Sequence, residues 1–147
     1  DPNIVPDTCC VQIDRRWLPT ETLDAIHKEI EEYADKAAAK FGGSYEFRAM
    51  REFTASMINA PYSINSDDIL VTDALEIAGT VTGDRLPPRD FPAWSDAGLL
   101  ANHTGAKCIV LGPGNINQAH ANDEFCSLDE IIKASEIYYK LIKQLCL

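Results

Sequence analysis

The sequence predicts an α/β fold in two pieces. Segments in which apolar and polar residues alternate lie before and after segments in which apolar residues recur at helical spacing. Residues 8–16 alternate in the manner of a half-buried strand. Apolar residues then recur at helical spacing from a cap at Thr20 to a stop at Gly42. A second alternating run over 45–57 predicts a long strand. Residues 4–57 are therefore predicted to form a strand, a helix and a strand.

The second piece follows a turn-rich linker over 59–66, and we place the boundary there, between domains 1–58 and 59–147. Its elements are predicted from caps, helical spacing and stop signals. They are a helix capped by Ser66 and ended by Gly83, an irregular proline-rich stretch over 85–92, a short helix from Ser95 to Gly105, a strand over 107–111, and an amphipathic terminal helix opened by a capping box at Ser127 and Glu130.

Composition favours small-molecule or protein partners and a cytoplasmic location. The 147 residues include 23 acidic and 13 basic ones, for a formal charge of -10, so we expect no general affinity for nucleic acid or anionic membranes. No apolar run reaches the roughly 20 residues that span a bilayer, and the start has no signal-like region. Five cysteines with no zinc-knuckle spacing are predicted to be small buried hydrophobes in a reducing compartment.

The best candidate for chemistry is the loop that follows the predicted strand over 107–111. Gly112 and Gly114 permit backbone conformations that other residues resist, so the chain can turn sharply and present a loop. This loop carries His120 and, four residues on, Glu124. A neutral imidazole is a good zinc ligand, and a neighbouring carboxylate can orient it or manage protons nearby.

Two other interpretations of the loop stay open at this point. A loop histidine can be satisfied by backbone groups alone, and the residues taken by themselves favour this interpretation, because a zinc site needs three or four protein ligands. A phosphate cradle at Gly-Pro-Gly is the weaker alternative, since Pro113 lacks a donor N–H and no helix follows the glycines directly.

Five short motifs, taken in order, resemble the back half of one known family. They are Asn3-Ile-Val-Pro-Asp7, Asp14-Arg-Arg-x-Leu-Pro19, Trp94-Ser-Asp-Ala97, Gly112-Pro-Gly114 and Ala119-His-x-x-Asp-Glu124. The family is that of the dinuclear zinc exopeptidases and deacylases, which includes acetylornithine deacetylase, succinyl-diaminopimelate desuccinylase, aminoacylase and carboxypeptidase G. The resemblance covers nearly the whole chain. It implies that 1–58 is part of a ferredoxin-like dimerisation lid and that 59–147 closes a catalytic α/β domain.

The resemblance implies a metal ligand but not a complete metal site. His120 falls on a zinc ligand of the family, and Glu124 falls on a supporting group near the metal. The other ligands and the general-base glutamate belong to a front half that carries a His-x-Asp segment, and no such segment occurs here. No catalytic residue is therefore assigned in this chain. Two zinc ions, or cobalt or manganese in their place, are expected in a complete active site, and none is expected to be held tightly by this chain alone.

The same resemblance implies a substrate site. Asn3 and Arg16 fall on substrate-binding positions, often reached across the dimer, and Trp94 and Ser95 fall on the lining of the pocket. A guanidinium fork suits a substrate carboxylate, which it can hold bidentately. A solvated arginine at a strand edge is the alternative that the residues alone favour for Arg16.

The resulting hypothesis is that the chain is a carboxy-terminal piece of a zinc-dependent hydrolase. Such an enzyme would cleave the amide bond of an N-acyl amino acid or small peptide-like substrate as a homodimer, and this chain would be inactive alone. Ala97 and Gly98 stand where some members carry a basic residue, so a succinyl-type substrate is less favoured. One alternative is a non-catalytic dimerisation or binding module that keeps the family shape. Another is an unrelated small α/β protein whose matches arise by chance.

Overall fold

The computed structural model describes residues 3–48, 60–85 and 87–147, which fall into two compact units divided between residues 57 and 58. Within those ranges the regular elements are all helical. They are α1 (Leu23–Phe41), α2 (Ile69–Thr82), α3 (Asp96–Thr104), a short 3-10 helix (Ile116–Gln118) and α4 (Leu128–Cys146). None of these helices is long and apolar enough to cross a bilayer. The assignment of the two units to a lid and a catalytic domain stays a prediction.

Helix α1 begins two residues later than predicted. The Thr22 hydroxyl accepts the N–H of Ala25 at 3.2 Å and caps the helix. The predicted cap, Thr20, lies in a turn that closes when the N–H of Glu21 donates to the carbonyl of Leu18 at 3.0 Å. The helix therefore begins only after this turn is complete.

The predicted helix stops are confirmed at three glycines. Gly42, Gly83 and Gly105 directly follow α1, α2 and α3, with φ of 73°, 86° and 72°. These are left-handed backbone values, which a residue without Cβ adopts at little cost. The N–H of each glycine also donates to the carbonyl four residues earlier and so closes the last turn of its helix.

The predicted strand over 8–16 is wrong. These residues form no strand and are exposed throughout, and Val11 is 76% exposed. A strand requires a neighbouring strand for its hydrogen-bond ladder, and no strand occurs in the ranges that the structure describes. Alternation of apolar and polar residues is therefore not enough to form the element here.

The second predicted strand, 45–57, is described only as far as residue 48, and that part is not a strand. Side-chain contacts hold it against α1 instead. The hydroxyl of Tyr45 donates to the Asp35 carboxylate at 2.9 Å, which raises the pKa of Tyr45. Phe47 lies edge-on to His27, with ring centroids 5.2 Å apart. The remainder of the prediction lies outside the described residues.

The prediction that the cysteines are buried is wrong for four of the five. All five are free, and only Cys108 is half-buried; the exposed ones are Cys9, Cys10, Cys126 and Cys146. Small apolar side chains are often buried, but burial requires a packed neighbour. Cys126 and Cys146, which belong to the second unit, are not among the apolar residues that form its core.

That core is the contact between α2 and α4. Ala74 and Ile77 from α2 pack with Ile137 and Leu141 from α4, and each is at most 9% exposed. Partly buried apolar side chains surround the four, namely Ala78, Val81, Ile109 and Leu111. The last two belong to the segment just before the glycine loop. The core therefore positions that segment beside the two helices.

The segment 107–111 was predicted to be a strand, and this prediction is also wrong for the described chain, where it has no ladder partner. Two tyrosines hold its backbone in place of a strand. The hydroxyl of Tyr62 accepts the N–H of Cys108 at 3.1 Å. The hydroxyl of Tyr138 donates to the carbonyl of Leu111 at 2.8 Å. These bonds and the apolar core together fix where the glycine loop starts.

Helix α2 is capped by Asp68 and not by the predicted cap, Ser66. One oxygen of the Asp68 carboxylate accepts the N–H of Leu70 at 3.0 Å, and the other lies 2.6 Å from the ammonium of Lys107. Lys107 lowers the pKa of the Asp68 carboxyl below its ordinary value of 3.8, and the N–H of Leu70 lowers it further. The same pair raises the pKa of Lys107.

We expect Asp68→Asn to flatten the pH dependence of stability at both extremes. The carboxyl pKa is lowered by folding, so its contribution is complete above pH 3.8 and is lost as the pH falls through the folded value. The Lys107 pKa is raised, so its contribution is complete below pH 10.5 and is lost as the pH rises through the folded value. Asparagine keeps an oxygen for Leu70 but has no charge for Lys107. Urea-unfolding midpoints across both pH ranges measure the effect.

Asp67→Asn is the matched control, because Asp67 is the exposed neighbour and forms no ion pair within the described residues. It should leave the pH dependence at both extremes unchanged. Asp68→Asn should itself lose the contribution of the pair at neutral pH, and Asp68→Ala, which also removes the cap, should lower stability there further. If Asp68→Asn keeps the pH dependence of the unmodified chain, the pair with Lys107 does not contribute to it.

Candidate functional site

The candidate site is built on the sharp turn at Gly112-Pro-Gly. Gly114 has φ of 88°, a left-handed value that favours glycine. At Gly112 a Cβ would meet the hydroxyl of Tyr138 at 3.5 Å, an ordinary van der Waals distance. The chain thus leaves the core at Leu111 and reverses over α4, as the glycines in the sequence predicted.

A chain of tight turns then leads from the glycines to His120. The side chain of Asn115 accepts the N–H of Asn117 at 3.0 Å and opens the 3-10 helix. The N–H of Gln118 donates to the carbonyl of Asn115 at 2.9 Å, and the N–H of Ala121 donates to the carbonyl of Gln118 at 3.1 Å. His120 therefore sits in a hydrogen-bonded loop and not in an open one.

His120 has the one positive φ among the non-glycine residues that the structure describes, at 67°. For a residue with a Cβ this conformation costs about 1–2 kcal/mol. The Glu124 carboxylate accepts the N–H of His120 at 2.9 Å, and the N–H of Glu124 donates to the carbonyl of Ala121 at 3.2 Å. Glu124 therefore supports the backbone of His120, while the imidazole is exposed.

Helix α4 holds both ends of the glycine turn. The Glu130 carboxylate accepts the N–H of Gly114 at 3.2 Å, and the hydroxyl of Tyr138 donates to Leu111. The predicted capping box is wrong, because the side chain of Ser127 makes no capping hydrogen bond and the Glu130 carboxylate contacts the loop instead. The amphipathic pattern of the terminal helix carried no signal of the hydrogen bond between Tyr138 and Leu111.

A shallow groove of about 510 Å³ runs along residues 107–111 in the same unit. Ser95 lines it, together with apolar residues of α2 and α3, and the lining reaches Leu111, the residue before the glycine turn. Trp94, also predicted to line a pocket, is 56% exposed and is not part of this lining. The structure thus brings Ser95, but not Trp94, into a groove next to the loop.

Asn3 and Arg16, the predicted substrate-binding residues, are exposed in the first unit. The neighbouring Arg15 is engaged, since its guanidinium lies 2.6 Å from Glu21 and donates to the carbonyl of Arg16 at 2.7 Å. The guanidinium of Arg16 has no ion pair within the described residues. Within the described residues, the two adjacent arginines thus differ in that only Arg15 is paired.

The described residues do not form a complete metal site. They contain no group of three or more His, Cys, Asp or Glu side chains placed to hold one ion, whereas zinc takes three or four protein ligands. The Glu124 carboxylate, four residues on, is bonded to the backbone N–H of His120. Within the described part of the chain, His120 is thus a single candidate ligand.

The model of peptidase family M20/M25/M40 matches residues 20–144. The match spans most of the sequence, so the chain belongs to this family of deacylases and peptidases. Membership indicates the α/β fold class, and the members of this family are generally metal-dependent.

Three curated proteins of this family illustrate how similar the chain is to its relatives. The chain is 27% identical over 145 residues to the acetylornithine deacetylase of Aliivibrio salmonicida (strain LFI1238), covering 99% of this chain and 35% of that protein. It is 27% identical to the N-acetyl-L-citrulline deacetylase of Xanthomonas campestris pv. campestris, over 95% of this chain and 35% of that protein. It is 25% identical to the succinyl-diaminopimelate desuccinylase of Marinobacter nauticus, over 97% and 35%. The chain thus spans about a third of the length of these relatives. No solved structure matches it significantly.

Proposed function

We propose that this chain is part of a metal-dependent amidohydrolase that removes the acyl group from an N-acylated amino acid. Membership of the peptidase family and the names of the matched relatives, which include two deacetylases and a desuccinylase, support this proposal. Because the chain spans about a third of those relatives, the activity is assigned to a complete family enzyme that carries this sequence, and the 147 residues alone are proposed to be inactive.

The observation that carries the proposal is the backbone of His120. A non-glycine residue in the left-handed region persists when its surroundings hold it there, and such residues cluster at functional sites. Here a carboxylate four residues on holds the N–H of His120, and the imidazole is left exposed to a ligand. We assign His120 as a ligand to zinc and Glu124 as the group that supports it.

The substrate roles are proposed from the motifs that match the family and, for Arg16, from its charge. Arg16 is proposed to hold the substrate carboxylate, because a guanidinium presents two parallel donors to it and Arg16 has no ion pair in the described residues. Asn3 is proposed to contact the substrate with it, and Trp94 and Ser95 to line the acyl pocket. We further propose that the enzyme works as a homodimer in the cytoplasm.

The test is a hydrolysis assay on a complete family enzyme that carries this sequence. We expect release of acetate from N-acetyl amino acids, with N-acetyl-L-ornithine as the first substrate. Dialysis against a chelator should lower the rate more than about tenfold, and added zinc should restore it, because metal-bound water is the nucleophile that such sites use at neutral pH.

Two controls accompany the assay. The isolated 147-residue chain should release no acetate, and N-acetylornithine amide, which lacks the free carboxylate, should be a poorer substrate with a raised KM. Hydrolysis that is indifferent to the chelator, or a complete enzyme that cleaves no N-acyl amino acid, would contradict the proposal.

A further inference from the structure

One stripe of α4 faces the start of the His120 loop. Glu130, Ala134 and Tyr138 are spaced four residues apart and so lie on the same side of the helix. Ala134 is buried, at 7% exposure, whereas Glu130 and Tyr138 on either side of it are exposed. The two polar members are about 12 Å apart along the axis, at a rise of about 1.5 Å per residue.

The two polar side chains tie down opposite sides of the glycine turn. Tyr138 donates to the carbonyl before the turn, at Leu111, with a distance of 2.8 Å. Glu130 accepts the N–H after the turn, at Gly114, with a distance of 3.2 Å. Since both partners stand on one helix, the direction in which the chain leaves the turn is set relative to α4.

The segment between the turn and His120 is held by hydrogen bonds of its own. Asn115 follows Gly114 directly and accepts the N–H groups of Asn117 and Gln118. The next turn closes between Gln118 and Ala121, and this turn contains His120. A displacement of Gly114 would therefore be transmitted to the backbone of His120.

We propose that Glu130 is a positioning residue for His120, acting through the N–H of Gly114. An ionised carboxylate is a strong acceptor for a backbone N–H, and this one lies on a rigid element with a buried neighbour in its stripe. The functional consequence, a correctly placed metal ligand, rests on the proposed function. The mechanical link between Glu130 and His120 does not depend on it.

The link is tested by nuclear magnetic resonance on the metal-free, 15N-labelled chain of 147 residues. In Glu130→Ala the amides of Gly114 and His120 should both exchange with solvent about tenfold faster, as expected when a hydrogen bond to a charged group is removed. The three-bond coupling between the N–H and Hα of His120 should move away from its left-handed value, because the residue then samples other conformations.

Two further variants make the test specific. Glu136→Ala removes the same charge from α4, but Glu136 pairs with Lys140 at 2.7 Å and has no contact with the loop among the described residues, so both amides should keep their exchange rates. Glu130→Gln keeps an oxygen acceptor of the same length and should restore most of the protection at both sites.

The inference is overturned if exchange accelerates at Gly114 alone while the coupling of His120 stays unchanged, because the effect of Glu130 would then end at the turn. If Glu130→Ala loosens the whole unit, the amides of α2 will also exchange faster. The comparison then depends on Glu130→Gln. In Glu130→Gln, a small increase in the exchange rates of both Gly114 and His120 supports the inference. An increase at Gly114 alone refutes it. No metal or substrate is present, so failure of the proposed hydrolase activity would leave this result unaffected.

Discussion

Replacing His120 by alanine is expected to lower kcat/KM for an N-acetyl amino acid by more than about 100-fold in a complete enzyme that carries this sequence. Loss of a group that only supports a metal ligand typically costs 10–100-fold, and loss of the ligand should cost at least as much. The structure motivates the choice, because the loop holds His120 with φ of 67° and leaves its imidazole exposed. Steady-state kinetics and the zinc content of the purified variant are the measurements.

His103→Ala is the matched control. His103 is an exposed histidine in the last turn of α3, so its loss should change neither kcat/KM nor zinc content. His120→Gly adds a second check, because glycine carries no penalty in the left-handed region. That variant should be more stable than His120→Ala and equally inactive. Undiminished turnover in both His120 variants would show that this residue is not a metal ligand.

Ile137→Ala is expected to destabilise the second unit by about 2–5 kcal/mol, the usual cost of truncating a buried isoleucine to alanine. Ile137 is 6% exposed and packs in the contact between α2 and α4. Few of the described residues of this unit are buried. The neighbours of Ile137 therefore have little other apolar surface with which to fill the cavity that the truncation leaves. The measurement is the free energy of unfolding in urea, with the dependence on denaturant concentration compared between variants.

Ile132→Ala provides the comparison on the same helix. Ile132 is 66% exposed, so the same truncation should change the free energy of unfolding by no more than about 0.5 kcal/mol. Equal losses for Ile132 and Ile137 would mean that the contact between α2 and α4 does not supply the stability of this unit.

The helices were the most predictable part of the fold. Helical spacing located α1, α2, α3 and α4, and glycines marked three of their ends. The exact starts were less predictable, because several Ser, Thr and Asp side chains near each start are chemically able to cap. Thr22 and Asp68 were selected over Thr20 and Ser66 by the turns that precede them and, for Asp68, by Lys107.

The strands show the opposite case. Residues 8–16 and 107–111 have the pattern of strands, but the pattern reports only which side chains prefer burial. A strand also needs a partner for its backbone groups, and within the described residues tyrosine hydroxyls and the apolar core hold 107–111 instead. Which partner a segment finds is not encoded in the segment.

The candidate site also has features that local sequence predicts and features that it does not. The glycine turn, the loop and the identity of His120 and Glu124 could be inferred from local sequence, because turn preference and ligand chemistry are properties of single residues. The contacts of Glu130 with Gly114 and of Tyr138 with Leu111 could not, because they join residues 16 and 27 positions apart. Glu130 even fits a local capping box by pattern, and it contacts the loop because the α2 and α4 core places Leu111 and the turn over its helix. Local chemistry therefore names the loop and its histidine, whereas long-range packing sets the direction in which that histidine is held.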